Sequence, residues 1–448
     1  MQKKRLKSYL PLFIIFLLGT LIRLFLTRFG NNSGDLLVFA EWGKRFWEVG
    51  TRNFYTDKLW YYSFPTYPPL SSLMYGGLYW LFEHNYVLAQ IHNVIKIIPS
   101  AFILYFNELL FNPLNFRQGY FLLLKLPAIL GDIGITAIIY WGVLKLAKDK
   151  KKALLASAFY FLNPMTVFLS SVWGQTESLV AFFGLLSFLL IDKKAWLSIP
   201  LFLICLLIKP TWVVFGPLYI FLLFVKKVKL KQLGLGLALS LLIFIITTYP
   251  FSGRNILPFA WETVIKNILP SAKGLARASV SAINFYSIFF KIGIDVAKVK
   301  LLGIPLDLIG VLAYVLLNLL AFTYVKKQKN FLLSVFSSLF LIGLGSFLFL
   351  TNMLERYFFA SFTPMVVLML VNPKTFLNGV LVNVVVLANL VWMFYRRRFF
   401  EIDRPFVNNN FLLVRILSIL IVVSWYFFSR ELSLFQPGLD TIRRKLKD

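Results

Sequence analysis

Apolar runs of bilayer length recur along the whole chain, separated for the most part by short polar loops. Each run approaches the roughly 17–25 residues that carry an α-helix across ~30 Å of hydrocarbon. The pattern predicts spans at residues 10–26, 120–146, 153–170, 178–191, 195–208, 212–225, 233–250, 301–325, 331–350, 357–371, 376–395 and 411–428. Strands of a membrane barrel would alternate over ~10 residues, and no such alternation is present, so a helical bundle is the arrangement left. Two longer intervals interrupt the series, at residues 28–119 and 251–300. Within the first, residues 68–82 and 94–111 are apolar enough to cross as a pair or to lie flat at the interface. Lys96, Pro99 and Glu108 favour the flat or re-entrant arrangement. With no internal repeat, low-complexity stretch or soluble segment, residues 1–448 are expected to form one domain. Its predicted class is an all-α polytopic membrane protein with about 11–13 transmembrane helices and interfacial helices in a long first external loop.

Composition agrees with that class. Of 448 residues, 59% are hydrophobic and 15% charged, with a mean hydropathy of +0.75, whereas in soluble domains charged residues approach about a quarter. The net charge of +28 would suit a nucleic-acid partner if it were pooled on one segment. It is instead divided among tight clusters between spans: Lys145 to Lys152, Lys193-Lys194, Lys226 to Lys231, Lys326-Lys327-Lys329 and Arg443-Arg444-Lys445-Lys447. Placing these and the N-terminal Lys3, Lys4, Arg5 and Lys7 in the cytoplasm closes the helices in pairs. The charge is a topology signal, and no nucleic-acid partner is expected. Most acids then fall on the opposite side, among them Asp35, Glu41, Asp132, Glu177, Glu262, Glu355 and Asp403. The basic N-terminus and the apolar run after it resemble a signal sequence, but no small-residue cleavage site follows, so a retained first helix is expected. Cys205 is the single cysteine, which excludes an intramolecular disulfide.

Asp35 comes first among the residues with chemistry to offer. It lies just outside the first span, before an amphipathic stretch and the turn Tyr67-Pro68-Pro69-Leu70. Either it caps a helix, since Ser33-Gly34-Asp35 precedes the periodic run Leu36, Phe39, Ala40, Trp42, Phe46, Trp47, or it is a general base at the lipid–water boundary. Asp132 sits inside an apolar span, where a charge costs at least ~2.5 kcal/mol. It should face the bundle interior, and Lys125, two helical turns back, is placed to neutralise it. Structural pair and site residue both remain open for it. Glu177 begins a helix after the hairpin Trp173-Gly174-Gln175-Thr176, where a negative charge complements the macrodipole. Trp173 suits an interfacial anchor, while Gln175 is harder to explain as scaffold. Lys209-Pro210 and Glu355-Arg356 fall at external span ends, as snorkelling cations and a local ion pair or as holders of an anionic phosphate. His84 and His92 are too isolated for a metal site, and no paired acids spell out metal ligands.

Taken in chain order, these residues resemble a family. Asp35 with Trp42, then Tyr67-Pro68-Pro69-Leu70, is similar to the first external loop of GT-C glycosyltransferases. The likeness is to enzymes that use lipid-phosphate sugars, namely the N-glycan glucosyltransferases and prokaryotic relatives of the second GPI-anchor mannosyltransferase. Lys125-Leu126-Pro127 with Asp132, Asn163-Pro164 before Trp173-Gly174-Gln175, Lys209-Pro210, Asn284 and Glu355-Arg356-Tyr357 follow in the same order, so the resemblance covers residues 35–364. Glu177 stands where an Asp is usual in the mannosyltransferase relatives, and Leu354 where a His is usual.

The resemblance implies a hexosyltransferase in a prokaryotic plasma membrane, N-terminus cytoplasmic and active site outside. It would move a hexose, mannose favoured, from a polyprenyl- or dolichyl-phosphate donor to a hydroxyl of a glycan, glycolipid or protein, with inversion. Asp35 would be the catalytic base. Trp42, Tyr67, Asp132, Gln175, Glu177, Lys209, Glu355 and Arg356 would bind substrate, with Lys209, Arg356, Arg254 or Arg277 facing the phosphate. No cofactor is indicated; the family includes metal-dependent and metal-free members, a divalent metal stays open, and the metal-free reaction is favoured. Two other classes share the polytopic, basic character: a flippase or transporter of lipid-linked glycans, which should show paired halves, and another membrane-embedded transferase such as a glycan ligase.

Overall fold

Residues 195–208 form a helix with the bounds that their apolar run dictates, and most other runs agree within a few positions. The computed structural model describes residues 2–31, 33–84, 87, 90, 116–268, 276–396 and 411–435. Its main helices are α1 (Gln2–Leu26), α2 (Gly34–Glu48), α3 (Pro69–Glu83), α4 (Phe116–Ala147), α5 (Lys150–Phe161), α6 (Glu177–Leu190) and α7 (Ala195–Ile208). They continue with α8 (Gly216–Val225), α9 (Leu230–Ser252), α10 (Leu306–Lys327), α11 (Phe331–Phe349), α12 (Phe359–Val371), α13 (Phe376–Arg396) and α14 (Phe411–Glu431). Among the described residues six helices are long and apolar enough to cross a membrane, or seven if α5 and the bent continuation Pro164–Trp173 count as one span. Leu10–Leu26, Glu177–Leu190, Ala195–Ile208 and Pro210–Val225 are shorter apolar helices. The chain is an all-α protein with the helices of a multi-pass membrane protein.

Burial follows the same logic. α11 is the central helix, 89% of its apolar window being enclosed by neighbours that include α4, α10 and α12. Outer helices turn apolar side chains outward instead: Leu237, Leu241 and Ile246 on α9, and Leu312, Leu316 and Leu319 on α10. So much exposed aliphatic surface is tolerated where the surroundings are themselves apolar. α4 and α6 approach closely because Gly131 lies against the Ser178–Leu179 backbone, where any Cβ would collide, and Ser178 Oγ donates to Ala128 O at 2.6 Å.

A second, aromatic core joins α2, α3, the first turns of α4 and Phe251. Phe39 stacks on Tyr75 at 4.8 Å between centroids, and the Trp42 ring meets Tyr67 edge-on at 5.3 Å. This unit sits at the end of the bundle where α4 starts and α9 finishes. At the opposite end the basic loops meet: Lys145, Lys193-Lys194 and Asn330 line one cavity, and Lys226 pairs with Asp192 at 2.8 Å.

Three expectations need correction. The span predicted at 301–325 starts later, because Lys300–Leu301 (β1) and Ile304–Pro305 (β2) form an antiparallel hairpin and the helix begins only at Leu306. Gly303 takes a left-handed φ of 79° in the turn, and Pro305 precedes the helix, so the apolar character of Leu301, Leu302 and Ile304 belongs to a turn. Asp35 is not the N-cap; that position is Ser33, and Asp35 lies in the first turn of α2. Lys125 is not the ion-pair partner of Asp132. Its Nζ donates to Thr27 O, Phe29 O and Asn31 Oδ1 at 2.7–2.8 Å, while Asp132 pairs with Arg23 at 2.9 Å. The segment 68–82 is present as α3, packed along α2, whereas 94–111 lies outside the described residues.

Candidate functional site

Asp35 precedes Phe39 by four residues and Trp42 by seven, which puts it on the buried stripe of α2 rather than on its solvent face. Packing of that stripe therefore carries the carboxylate inward. There Trp173 Nε1 donates to Asp35 Oδ2 at 2.9 Å, and Arg356 Nη1 lies 3.6 Å from the same oxygen. Ser33 Oγ donates to Trp173 O at 3.4 Å and ties the start of α2 to the same segment. The indole is aimed by an unusual stretch of backbone. Asn163 caps the helix break at Pro164, the chain winds as a π-helix over Phe168–Trp173, and Gly174 ends it with a φ of 76°. A π-turn offsets a side chain from its α-helical direction, a device frequent at functional sites.

Beyond Asp35 the charges alternate. Arg356 Nη1 lies 3.1 Å from Glu355 Oε1 and its Nε 3.5 Å from Glu177 Oε1, and the guanidinium stands 5.7 Å from the Trp173 ring centre. Lys209 forms an ion pair with Glu177 and sits 5.2 Å from the Tyr67 ring centre. Ser281, from the second long loop, donates to Glu355 Oε2. Helix starts and ends supply all of the charged groups: the first turns of α2 and α6, the residue after α7, and the short 3-10 helix Glu355–Phe358 before α12. Asp35 is the most open of the acids, its side chain 21% exposed, against 5% for Glu177 and 1% for Glu355.

Burial alone would push the Lys209 amine down, but the Glu177 carboxylate outweighs it and holds the group above its ordinary value. Burial likewise opposes the charge on Arg356, and Asp35, Glu355 and Glu177 together raise it. Among the described residues, three carboxylates thus face two cations. Gln175 is fully buried and, among the described residues, neither atom of its amide has a hydrogen-bond partner; nor does Glu177 Oε2. A buried polar atom left unpaired costs about 1–3 kcal/mol, so the Glu177 side of the site is suited to a polar ligand or to water.

Of the residues singled out in the sequence, the fold brings Asp35, Tyr67, Glu177, Lys209, Glu355 and Arg356 together, with Gln175 two residues before Glu177 in the chain. Trp42 is instead packed in the aromatic core, 1% exposed, its Nε1 donating to Ser63 O at 2.8 Å. Asp132 is fully enclosed in a separate network: Arg23 Nε and the Tyr160 hydroxyl donate to its two oxygens at 2.9 and 3.0 Å. Asn284 caps a short 3-10 helix through Tyr286 N. Sequence reasoning passed over the roles of Trp173, Ser281 and Arg23. An arginine inside the first span was the available signal for the last, since such a charge needs an acidic partner from another helix. Among the described residues no group of three or more His, Cys, Asp or Glu side chains is arranged to hold a metal ion.

No protein-family model matches this chain, and no curated protein does.

Proposed function

We propose that this chain is a membrane glycosyltransferase of the GT-C type, moving a hexose from a polyprenyl-phosphate donor to an acceptor hydroxyl outside the cytoplasm. The observation that carries the reading is Asp35. It is held by Trp173 and Arg356 at the open side of a cluster in which Glu177 Oε2 has no hydrogen-bond partner among the described residues. In the proposed reaction the acceptor oxygen bonds to the anomeric carbon from the face opposite the phosphate. The bond from that carbon to the phosphate oxygen breaks, the hydroxyl proton goes to Asp35, and polyprenyl phosphate leaves. The sugar hydroxyls would satisfy Gln175 and Glu177.

The charge balance refines the assignment of the phosphate. Lys209 and Arg356 are already matched by Glu177, Glu355 and Asp35, so a phosphate would have to displace a carboxylate from either. Arg254 and Arg277, both exposed and both in the second long loop, are better placed chemically to meet it. In this reading the described helices cross twelve times, α1 and α4 to α14, the shorter apolar helices included, with α2 and α3 at the outer interface.

Purified protein incubated with a panel of polyprenyl-phosphate sugars should release polyprenyl phosphate, by transfer or by slow hydrolysis, from at least one of them. Turnover of nucleotide sugars alone, by folded protein, would assign a different donor class. The orientation has its own test. Cys205 is buried and gives little background, so Gly34→Cys should be labelled in intact cells by an impermeant maleimide, and Lys151→Cys only after permeabilisation. The reverse pattern would place the site in the cytoplasm.

A further inference from the structure

A cavity of about 720 Å³ opens between α4, α6 and the start of α11, at the end of the bundle opposite Asp35. Its walls are apolar: Ile138, Trp141, Phe182, Leu186, Leu189 and Phe331. Its polar lining is concentrated at one end, where Lys145 of the last turn of α4 gathers with Asp192, Lys193, Lys194 and Asn330. The one acid among them is matched by Lys226 at 2.8 Å. Three further lysines therefore crown a greasy groove whose walls belong to membrane-spanning segments.

The geometry points to a binding site for an anionic diacyl phospholipid, its phosphate among Lys145, Lys193 and Lys194 and an acyl chain along α4 and α6. The volume lies within the roughly 300–1,000 Å³ usual for ligand sites. The charge arrangement matches the ligand at both ends. A chain of methylenes replaces the bilayer hydrocarbon that would otherwise fill the groove, and basic side chains at the same depth as a leaflet's headgroups attract anionic lipid. Neutral lipid satisfies the groove but not the lysines; a free phosphate ester satisfies the lysines but not the groove. The lipid would bridge the last turn of α4, the loop from α6 to α7 and the loop from α10 to α11, with the loop from α8 to α9 tied in through Lys226 and Asp192, so its binding braces the end of the bundle farthest from the carboxylate cluster. The inference is independent of the reaction proposed above and requires only that the chain be embedded in a bilayer.

The test uses the full chain, purified in detergent, with melting followed during titration of phosphatidylglycerol, phosphatidylcholine of the same acyl chains, or glycerol 3-phosphate. Phosphatidylglycerol should raise the melting temperature at lower concentration than phosphatidylcholine, and glycerol 3-phosphate should not raise it. Replacing Lys145, Lys193 and Lys194 by Ala should weaken phosphatidylglycerol about fivefold for each lysine removed, until it matches phosphatidylcholine. Ala137 also lines the cavity and is exposed, so Ala137→Phe should obstruct the groove with every lysine retained and again erase the preference. If that variant does not fold, the lysine series decides by itself. Equal stabilisation by both lipids would leave only a solvated groove, stabilisation by glycerol 3-phosphate would leave only an anion site, and an unchanged preference in the triple lysine variant would place the lipid elsewhere; each overturns the proposal.

Discussion

Transfer by an Asp35→Asn protein is expected to fall by about 10²–10⁴-fold, the range over which a positioned general base contributes. The amide keeps the size of the carboxylate, and its oxygen can still accept from Trp173 Nε1, the bond of 2.9 Å that orients the group. Arg356 loses one acidic neighbour but keeps Glu355 and Glu177 at 3.1 and 3.5 Å. Folding should therefore survive with little change in melting temperature, and the loss should be one of turnover. The assay is release of polyprenyl phosphate from the best donor of the panel, alongside thermal unfolding of the same preparation. Turnover within threefold of the parent would remove Asp35 as the base. Glu177 would not inherit the role easily, since it is deep in the cluster and paired with Lys209.

The largest effect on stability should come from the buried network around Asp132. Replacing Arg23 by Met leaves that carboxylate enclosed without its cation, and breaking a buried pair in this way costs about 3–5 kcal/mol. Asp132→Leu strands the guanidinium to a similar extent, though Arg23 also donates to Thr166 Oγ1 and Gly19 O at 3.1 and 3.2 Å and lies against the Phe161 ring. The double variant should recover most of the loss, because two apolar side chains in an apolar bundle need no partner. It should fall short of the parent because the Tyr160 hydroxyl loses its Asp132 acceptor, about 1–3 kcal/mol. Unfolding in detergent of the parent, both single variants and the double gives the coupling directly. Losses that simply add in the double would show that the two groups do not stabilise each other. The same preparations address the expectation that Asp132 binds substrate: parental turnover by folded Asp132→Asn would leave it as scaffold.

Much of the helical framework was legible in the chain because its causes are local. A stretch such as 195–208 must be helical once it is apolar and in hydrocarbon, since only internal hydrogen bonds can satisfy its backbone. Lysines mark the loops for the same reason, being costly to bury. The placement of Asp35 was also half visible: its spacing from Phe39 and Trp42 is that of one helix face, and only the identity of what that face meets was missing. The hairpin before α10 was misread because hydropathy averages Leu301, Leu302 and Ile304 with the span that follows, although Gly303 and Pro305 carry the turn.

Partners were a different matter. Asp132 has a cation two turns away on its own helix, yet its ion pair is with Arg23, 109 residues distant in sequence. Trp173 is an anchor by composition and the orienting donor of Asp35 by position, 138 residues apart. Glu355 receives Ser281 and meets Arg356, while Arg356 also reaches Glu177 and Asp35. Segment type, helix bounds and the division of charge between loops follow from how each short stretch partitions between water, interface and hydrocarbon, which the amino-acid sequence alone determines. Which acid meets which cation depends on the directions in which packed helices point their ends. Those directions are set by contacts such as Gly131 against the Ser178 backbone and by the π-turn before Gly174, and so only the tertiary structure decided the composition of the site.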